Sequence, residues 1–375
     1  MATDNNTIRD NARILSKTVL KPLKGLEVAF EYTFDKTWSN QNVNKASIDY
    51  TTVELAKIQT ATTSSLETTH QSTDYNAINL YANYRYSWND THNLSLMGGF
   101  NQESSDWKKL YTYSYDMINE KYPSHSTATG ENKVITDDHR VYTVRGAFYR
   151  VNYDYKGKYL LSATMRADGS SKYQEKWGYF PSVGAAWNIS EEGFMKDQKW
   201  VDYLKLRASW GKLGNDKVAA SDGFASITQD MGTSGIFGGS AVPGYTNLVY
   251  FSWLGWEVVN ETNVGLDFRT LNSRLTIEAD WYYRLTQNAV IDAPLPMGAG
   301  NLLGNRGEIL NTGVELSFNW ADKIGKDFSY YIGANLTTLH NEVKDLNGLS
   351  YLYGGSAEFR TISQVGGEFE CLLWI

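Results

Sequence analysis

The residues able to do chemistry in this chain are few and poorly spaced for it. Five histidines (His70, His92, His125, His139 and His340) are scattered without the HExxH spacing of a zinc site, and the single cysteine, Cys371, offers them no partner. The expectation for all five is a solvated surface position. Ser209-Trp210-Gly211-Lys212 fits the S-x-x-K start of a β-lactamase-type nucleophile. That chemistry needs serine and lysine one helical turn apart on one face. The flanking residues alternate as in a strand, where positions i and i+3 face opposite ways, so the match is coincidental. Asp137 and Asp138 beside His139 resemble part of a calcium site but lack a glycine-spaced loop, and solvated charge is the better assignment. G-x-S-x-G, P-loop and G-x-G-x-x-G patterns are absent. Neither covalent chemistry nor a cofactor is implied.

Alternation, not chemistry, organises the sequence. Between Tyr159 and Trp210, Leu161, Ala163, Met165 and Ala167 alternate with Ser162, Thr164, Arg166 and Asp168. Val183, Ala185, Trp187 and Ile189 then alternate with small or polar residues, and Leu204, Leu206, Ala208 and Trp210 with Lys205, Arg207, Ser209 and Gly211. Period two means extended strands with unlike faces. Strands of about ten residues, apolar outside and polar inside, are the mark of a transmembrane β-barrel.

Similar stripes recur from Leu26 to Leu336, giving about twelve strands. Short turns (Lys21–Gly25, the NDTHN run, Lys156–Lys158, Leu271–Arg274, the DKIGKD run) alternate with long polar connections placed at about 35–74, 101–139, 212–254 and 287–310. Outer-membrane barrels show this asymmetry, with short periplasmic turns and long outer loops. The connection Ser190–Tyr203 is the exception, with Glu191 and Glu192 placed to start a helical turn. Trp88, Trp187 and Trp320 each close an apolar stripe before a short-side connection, as a periplasmic aromatic girdle requires.

Composition agrees. Aromatics make up 14% of 375 residues, with 26 tyrosines against 6 prolines. No apolar run approaches the 18 residues of a membrane helix, which leaves strand-built membrane proteins untouched. The net charge of −7 argues against nucleic acid as a partner. The start, MATDNNTIRDN, lacks a signal peptide's basic and apolar segments, so the expectation is an internal fragment of a longer protein.

The runs RADGSS, WGYFPSVGAAWNISEE and LKLRASWGKLGN resemble the barrel domain of SusC/RagA-type TonB-linked outer-membrane proteins. WEVVNETNVGLDF (Trp256–Phe268), LTIEADWYYRLT (Leu275–Thr286) and NTGVELSF (Asn311–Phe318) fit in the same order. The resemblance implies an all-β, antiparallel transmembrane β-barrel, here about twelve strands of a 22-stranded, plugged barrel, with the plug absent. It places residues 1–366 in a partial barrel domain and 367–375, GEFECLLWI, in an aberrant or truncated tail.

The implied function is import through the outer membrane of oligosaccharides, sometimes peptides, without enzymatic activity. The implied partners are a SusD-like surface lipoprotein, outer-membrane lipid, and a TonB energy-coupling system engaging a missing N-terminal part. By analogy Asp168, Tyr173, Trp177 and Tyr179, at the outer end of one hairpin, would touch the solute. The competing assignment makes Asp168-Gly169 a turn and Trp177 a girdle residue. Two rivals stand against the importer: a soluble, secreted all-β carbohydrate-binding protein such as a propeller, which should show blade-length repeats that are not found, and a barrel enzyme with a clustered catalytic set.

Overall fold

The structure is a computed structural model that describes residues 3–51, 58–131, 133–218, 228–237, 240–246, 254–294, 301–356 and 359–372. The described elements are strands and two short 3-10 turns. In chain order the strands are β1 (Thr3–Leu23), β2 (Leu26–Lys45), β3 (Ile48–Thr51), β4 (Ile58–Thr62), β5 (Ser65–Trp88), β6 (His92–Tyr115) and β7 (Val134–Tyr155). Then come β8 (Tyr159–Ser170), β9 (Trp177–Asn188), β10 (Val201–Asn215), β11 (Thr228–Phe237), β12 (Ser240–Thr246) and β13 (Glu257–Thr270). The chain continues through β14 (Leu275–Pro294), β15 (Asn301–Ile324), β16 (Phe328–Thr337), β17 (His340–Asp345), β18 (Tyr351–Gly355), β19 (Arg360–Gln364) and β20 (Cys371–Leu372). The principal sheet runs β1-β2-β5-β6-β7-β8-β9-β10-β13-β14-β15-β16, and β17 also pairs with β15. Its order is that of a meander, each strand pairing with the next across the small hairpins β3-β4 and β11-β12.

Contacts divide the chain into two units. One comprises Met1–Val19, Ala29–Leu80 and Asn101–Val144; the other comprises Leu20–Val28, Tyr81–Phe100 and Arg145–Ile375.

In the second unit the ladders fix the two faces. Leu161 lies opposite Ala185, Leu206 opposite Trp187 and Leu266, Val264 opposite Trp281, and Trp281 opposite Val314. Directly paired residues share a face, so these form one apolar surface. Lys205 opposes Asn188 and Asp267, and Arg207, Gly265, Asp280 and Glu315 follow one another across four strands on the other surface. Leu161, Val183, Trp187, Leu206, Trp281 and Phe318 are exposed. A sandwich would bury this surface against a second sheet. Here the apolar side of the sheet is left exposed, as it must be if the surrounding solvent is lipid. That observation tells against the soluble rival, and Ser209 and Lys212 lie in the β10 ladder, where their spacing sends them to opposite faces.

The short turns of this unit form a linked rim. Asn89-Asp90 and Lys156-Gly157 both hold positive φ, as tight hairpin turns matching strand twist require. Arg85 N donates to Gly25 O at 2.8 Å, Lys156 N to Thr91 O at 2.8 Å and Asn188 N to Lys158 O at 2.7 Å. Gly25 has φ +84°, and a Cβ there would stand 2.3 Å from the Arg85 carbonyl oxygen. Gly25→Ala is expected to destabilise by more than about 1 kcal/mol in thermal or denaturant unfolding, because strain and backbone overlap coincide.

Aromatic rings run along the same rim on the apolar face. Ring centres are 5.5 Å apart for Trp88 and His92, 4.9 Å for His92 and Tyr155, 6.2 Å for Tyr155 and Tyr159, and 6.5 Å for Tyr159 and Trp187. His92 therefore departs from the expected solvated position. It is half-buried within the girdle, its Nδ1 2.7 Å from Tyr153 Oη, because the strand end places an imidazole where the belt needs a ring with a polar edge.

The expected helical turn after Asn188 is present only as two 3-10 turns, Ile189–Glu191 and Gly193–Met195. Glu192 between them accepts hydrogen bonds from Tyr159 Oη at 2.6 Å, Lys158 Nζ at 3.1 Å and Trp187 Nε1 at 3.1 Å. These donors, Tyr159 first, hold its carboxyl down at about 2. A depressed carboxyl stabilises above its unfolded pKa and loses that contribution as pH falls through the folded one. The rim is thus expected to hold at neutral pH and loosen as pH drops from the ordinary carboxylate range towards 2. Chemical shifts of a labelled Glu192 carboxyl across an acid titration would check it.

Several strands run much further than their apolar stripes. β5 and β6 each span 24 residues, so the long connections placed at 35–74 and 101–139 begin later than expected. Crossing a bilayer takes only about ten residues per strand. Beyond it both faces turn polar while the ladder persists, tied by Lys36–Asp74 at 2.8 Å, Lys45–Glu67 at 2.9 Å and Tyr75 Oη to Glu103 at 2.7 Å. The same extension carries β10 to Asn215 and starts β15 at Asn301. The loop expected at 212–254 contains the β11-β12 hairpin; its residues 219–227, 238–239 and 247–253 lie outside the described residues. So do 295–300 of the loop at 287–310, and Trp374-Ile375 of the tail. Cys371-Leu372 of that tail pairs with β19.

Candidate functional site

The polar surface of the second unit carries the concentrated charge. A hollow of about 1220 Å³ opens there, bordered by Ser162, Gly184, Lys205, Arg207, Ser209 and Asn263 among others. Arg207 Nη2 donates to Asp280 Oδ2 at 2.6 Å and its Nε to Asp267 Oδ1 at 3.2 Å. Gly265 stands between them in the ladder. A Cβ there would come within 2.5 Å of Arg207 Cζ and 2.7 Å of Asp280 Oδ1, so only glycine lets arginine and aspartate close across the intervening strand. Arg284 Nε donates to Glu261 Oε2 at 3.0 Å one row away. Fixed, paired charge along one face makes a hydrophilic wall that can exchange hydrogen bonds with a polar solute; among its described residues no nucleophile and base are in contact.

At the long-loop end of the same hairpin the four expected contact residues separate. Asp168 is on the polar side, 7% exposed, its Oδ2 2.5 Å from Arg166 Nε; its Oδ1 has no partner among the described residues. It pairs with Gly178 in the ladder, so Asp168-Gly169 is strand, and the turn lies at 171–176. Tyr173, in that turn, is 2% exposed. Its hydroxyl donates to the Asn215 carbonyl at 3.0 Å, and its ring centre is 5.2 Å from Trp256, which meets Phe180 edge-on at 5.2 Å. Burial, with Asp216 and Glu257 nearby, pushes its phenol well above the usual range.

Trp177 and Tyr179 share the register of Met165 and Pro181 and therefore lie on the apolar face. Trp177 covers Gly169, and the Arg145 guanidinium sits 5.7 Å from its ring. Proximity in sequence brought these four together; the strand's two faces divide them.

Sequence reading placed Arg207 among the polar-face residues but missed the Arg207–Asp267–Asp280 network. The signal for it was the cross-strand row Arg207-Gly265-Asp280, visible only once register is known. The Asp137-Asp138-His139 run does not gather. Asp138 pairs with Arg140 Nη2 at 2.7 Å, while His139 Nε2 reaches Asp106 at 3.0 Å. Among the described residues no three acidic, histidine or cysteine side chains could hold a metal ion.

Comparison with known proteins adds a consistent set of likenesses. The family model described as TonB dependent receptor-like, beta-barrel, matches residues 3–364. TonB-dependent receptor P39 of Formosa agariphila is 29% identical over 357 residues, covering 91% of this chain and 32% of that protein. TonB-dependent receptor SusC of Bacteroides thetaiotaomicron is 34% identical over 215 residues, 55% of this chain and 21% of that protein. The chain thus spans about a third or less of the length of these curated relatives. Among solved structures, the RagAB peptide transporter superposes with a TM-score of 0.84 at 22% identity, over 97% of this chain and 40% of that chain.

Proposed function

Because the chain belongs to the TonB-dependent receptor β-barrel family, we propose that it forms part of the wall of an outer-membrane importer for oligosaccharides or peptides. Outward apolar stripes hold it in lipid. The observation that carries the proposal is the opposite surface, where Arg207, Asp267, Asp280, Arg284 and Glu261 line a polar path instead of a packed core. Transport is energised through TonB, and a SusD-like surface lipoprotein delivers the solute on the long-loop side. The structure titled a peptide transporter supports the peptide class, and the oligosaccharide class rests on the sequence resemblance to SusC/RagA-type proteins. The wall has no catalytic role; residues 1–366 make it, and 367–375 lie outside it.

Within the proposed site Asp168, held by Arg166, and Tyr173 sit on the solute side of the outer rim. Trp177 and Tyr179 belong to the lipid-side girdle, so a contact with solute falls to Asp168 and to what Tyr173 supports. The test is disruption of the gene in its native host, followed by uptake of labelled oligosaccharides and peptides. Loss of uptake for one class, reproduced by removing TonB and restored by complementation, is expected. Unchanged uptake of every oligosaccharide and peptide tried would overturn the proposal.

A further inference from the structure

Among the described residues, the connection from β9 to β10 is the short-side one that is not a tight turn, and it has a distinct placement. Both of its ends are fastened to the apolar face of the sheet. At the start, Glu192 is bonded to Tyr159 Oη and Trp187 Nε1, two rings of the outward girdle. At the end, Trp200 lies 6.3 Å from Phe268, which shares the apolar face with Leu204 and Ile277. Thr270 Oγ1 donates to the Trp200 carbonyl, and Ser273 N donates to Asp202 Oδ2 at 2.7 Å. The segment therefore hangs on the outer side of the sheet and not over its polar side. Phe194 and Trp200 are 65% and 62% exposed, with Lys196 and Lys199 exposed around them. Glu192 is matched by Lys158, and within Gly193–Trp200 two lysines, Lys196 and Lys199, stand against the single carboxylate of Asp197.

We propose that Gly193–Trp200 is a membrane-interface anchor that docks on phospholipid headgroups of the periplasmic leaflet, with Phe194 and Trp200 entering the headgroup–acyl boundary. The occupant follows from continuity. The stripe carrying Phe268 is the lipid-facing surface of the barrel, and the segment extends that stripe past the last strand residues. Aromatic rings favour this depth, and lysines beside them reach lipid phosphates. Of the tight turns, Asn89-Asp90 and Lys156-Gly157 present no large apolar side chain, while the turn at Leu271 exposes a single leucine and no aromatic ring.

The test uses the full-length outer-membrane protein, in a Cys371→Ser background, reconstituted in vesicles of phosphatidylethanolamine and phosphatidylglycerol. Phe194→Cys, and separately Gln198→Cys, would carry an environment-sensitive nitrobenzoxadiazole label, with Lys326→Cys in the tight turn after β15 as reference. At 194 the emission should be blue-shifted and quenched several-fold more by headgroup-labelled lipid than at 326, with weaker quenching by aqueous iodide. The label at 198 should fall on the same side of the reference. Iodide quenching at 194 and 198 equal to that at 326, without lipid quenching, would overturn the anchor and point instead to a water-facing surface for a protein partner.

Discussion

Leu206→Arg in the intact outer-membrane protein should cost about 2–4 kcal/mol if Leu206 lies near the bilayer midplane. Leu206 is 41% exposed on the apolar face, between Trp187 and Leu266. A guanidinium there must either lose its hydration or drag water and headgroups towards it. Lys205→Ala, one residue away, removes a charge from the polar wall and should cost far less. Denaturant titration in lipid or detergent measures both, and equal costs would mean the parity is wrong.

Tyr173→Ala should be the most damaging change at the outer rim, at about 3–5 kcal/mol, the usual range for truncating a buried aromatic. The ring is enclosed by Trp256 and the turn backbone, and Phe180 beyond it packs so closely that a Cβ on Gly178 would meet its ring at 2.4 Å. Tyr173→Phe keeps the ring and loses only the bond to the Asn215 carbonyl, so about 1 kcal/mol is expected. Similar losses for the two variants would show that the hydroxyl, not the ring, holds the rim.

What the sequence disclosed is the part of the fold that lipid dictates. Leu161, Val183, Leu206 and Trp281 alternate because a pleated strand shows every second residue to one side and that side meets hydrocarbon. Where the hydrocarbon stops, so does the pattern. The stripe in β6 fades after Phe100 although the strand continues to Tyr115, because Asn101–Asp106 are polar at both parities and are kept extended by hydrogen bonds such as that from Tyr75 to Glu103. The long loops were therefore drawn too early.

The site was legible by face and illegible by grouping. Arg207 and Asp280 could be assigned to the polar surface one strand at a time. Their meeting across Gly265 needed the register of three strands, and no residue announces register. Asp168 and Trp177 are close in sequence yet divided by the sheet, since one follows the polar parity of Arg166 and the other the apolar parity of Met165.

The measurement that bears most directly on the account is a spin-label scan of β10 in the full-length protein in lipid, one position at a time from Leu204 to Trp210. Oxygen, which concentrates in the bilayer, should collide most often with labels at 204, 206, 208 and 210. A water-soluble nickel chelate should favour 205, 207 and 209 wherever it has access, giving a period of two along the strand. Oxygen collision rates without that period, or highest at 205, 207 and 209, would contradict the claim that this sheet turns its apolar face to the membrane and its charge inward.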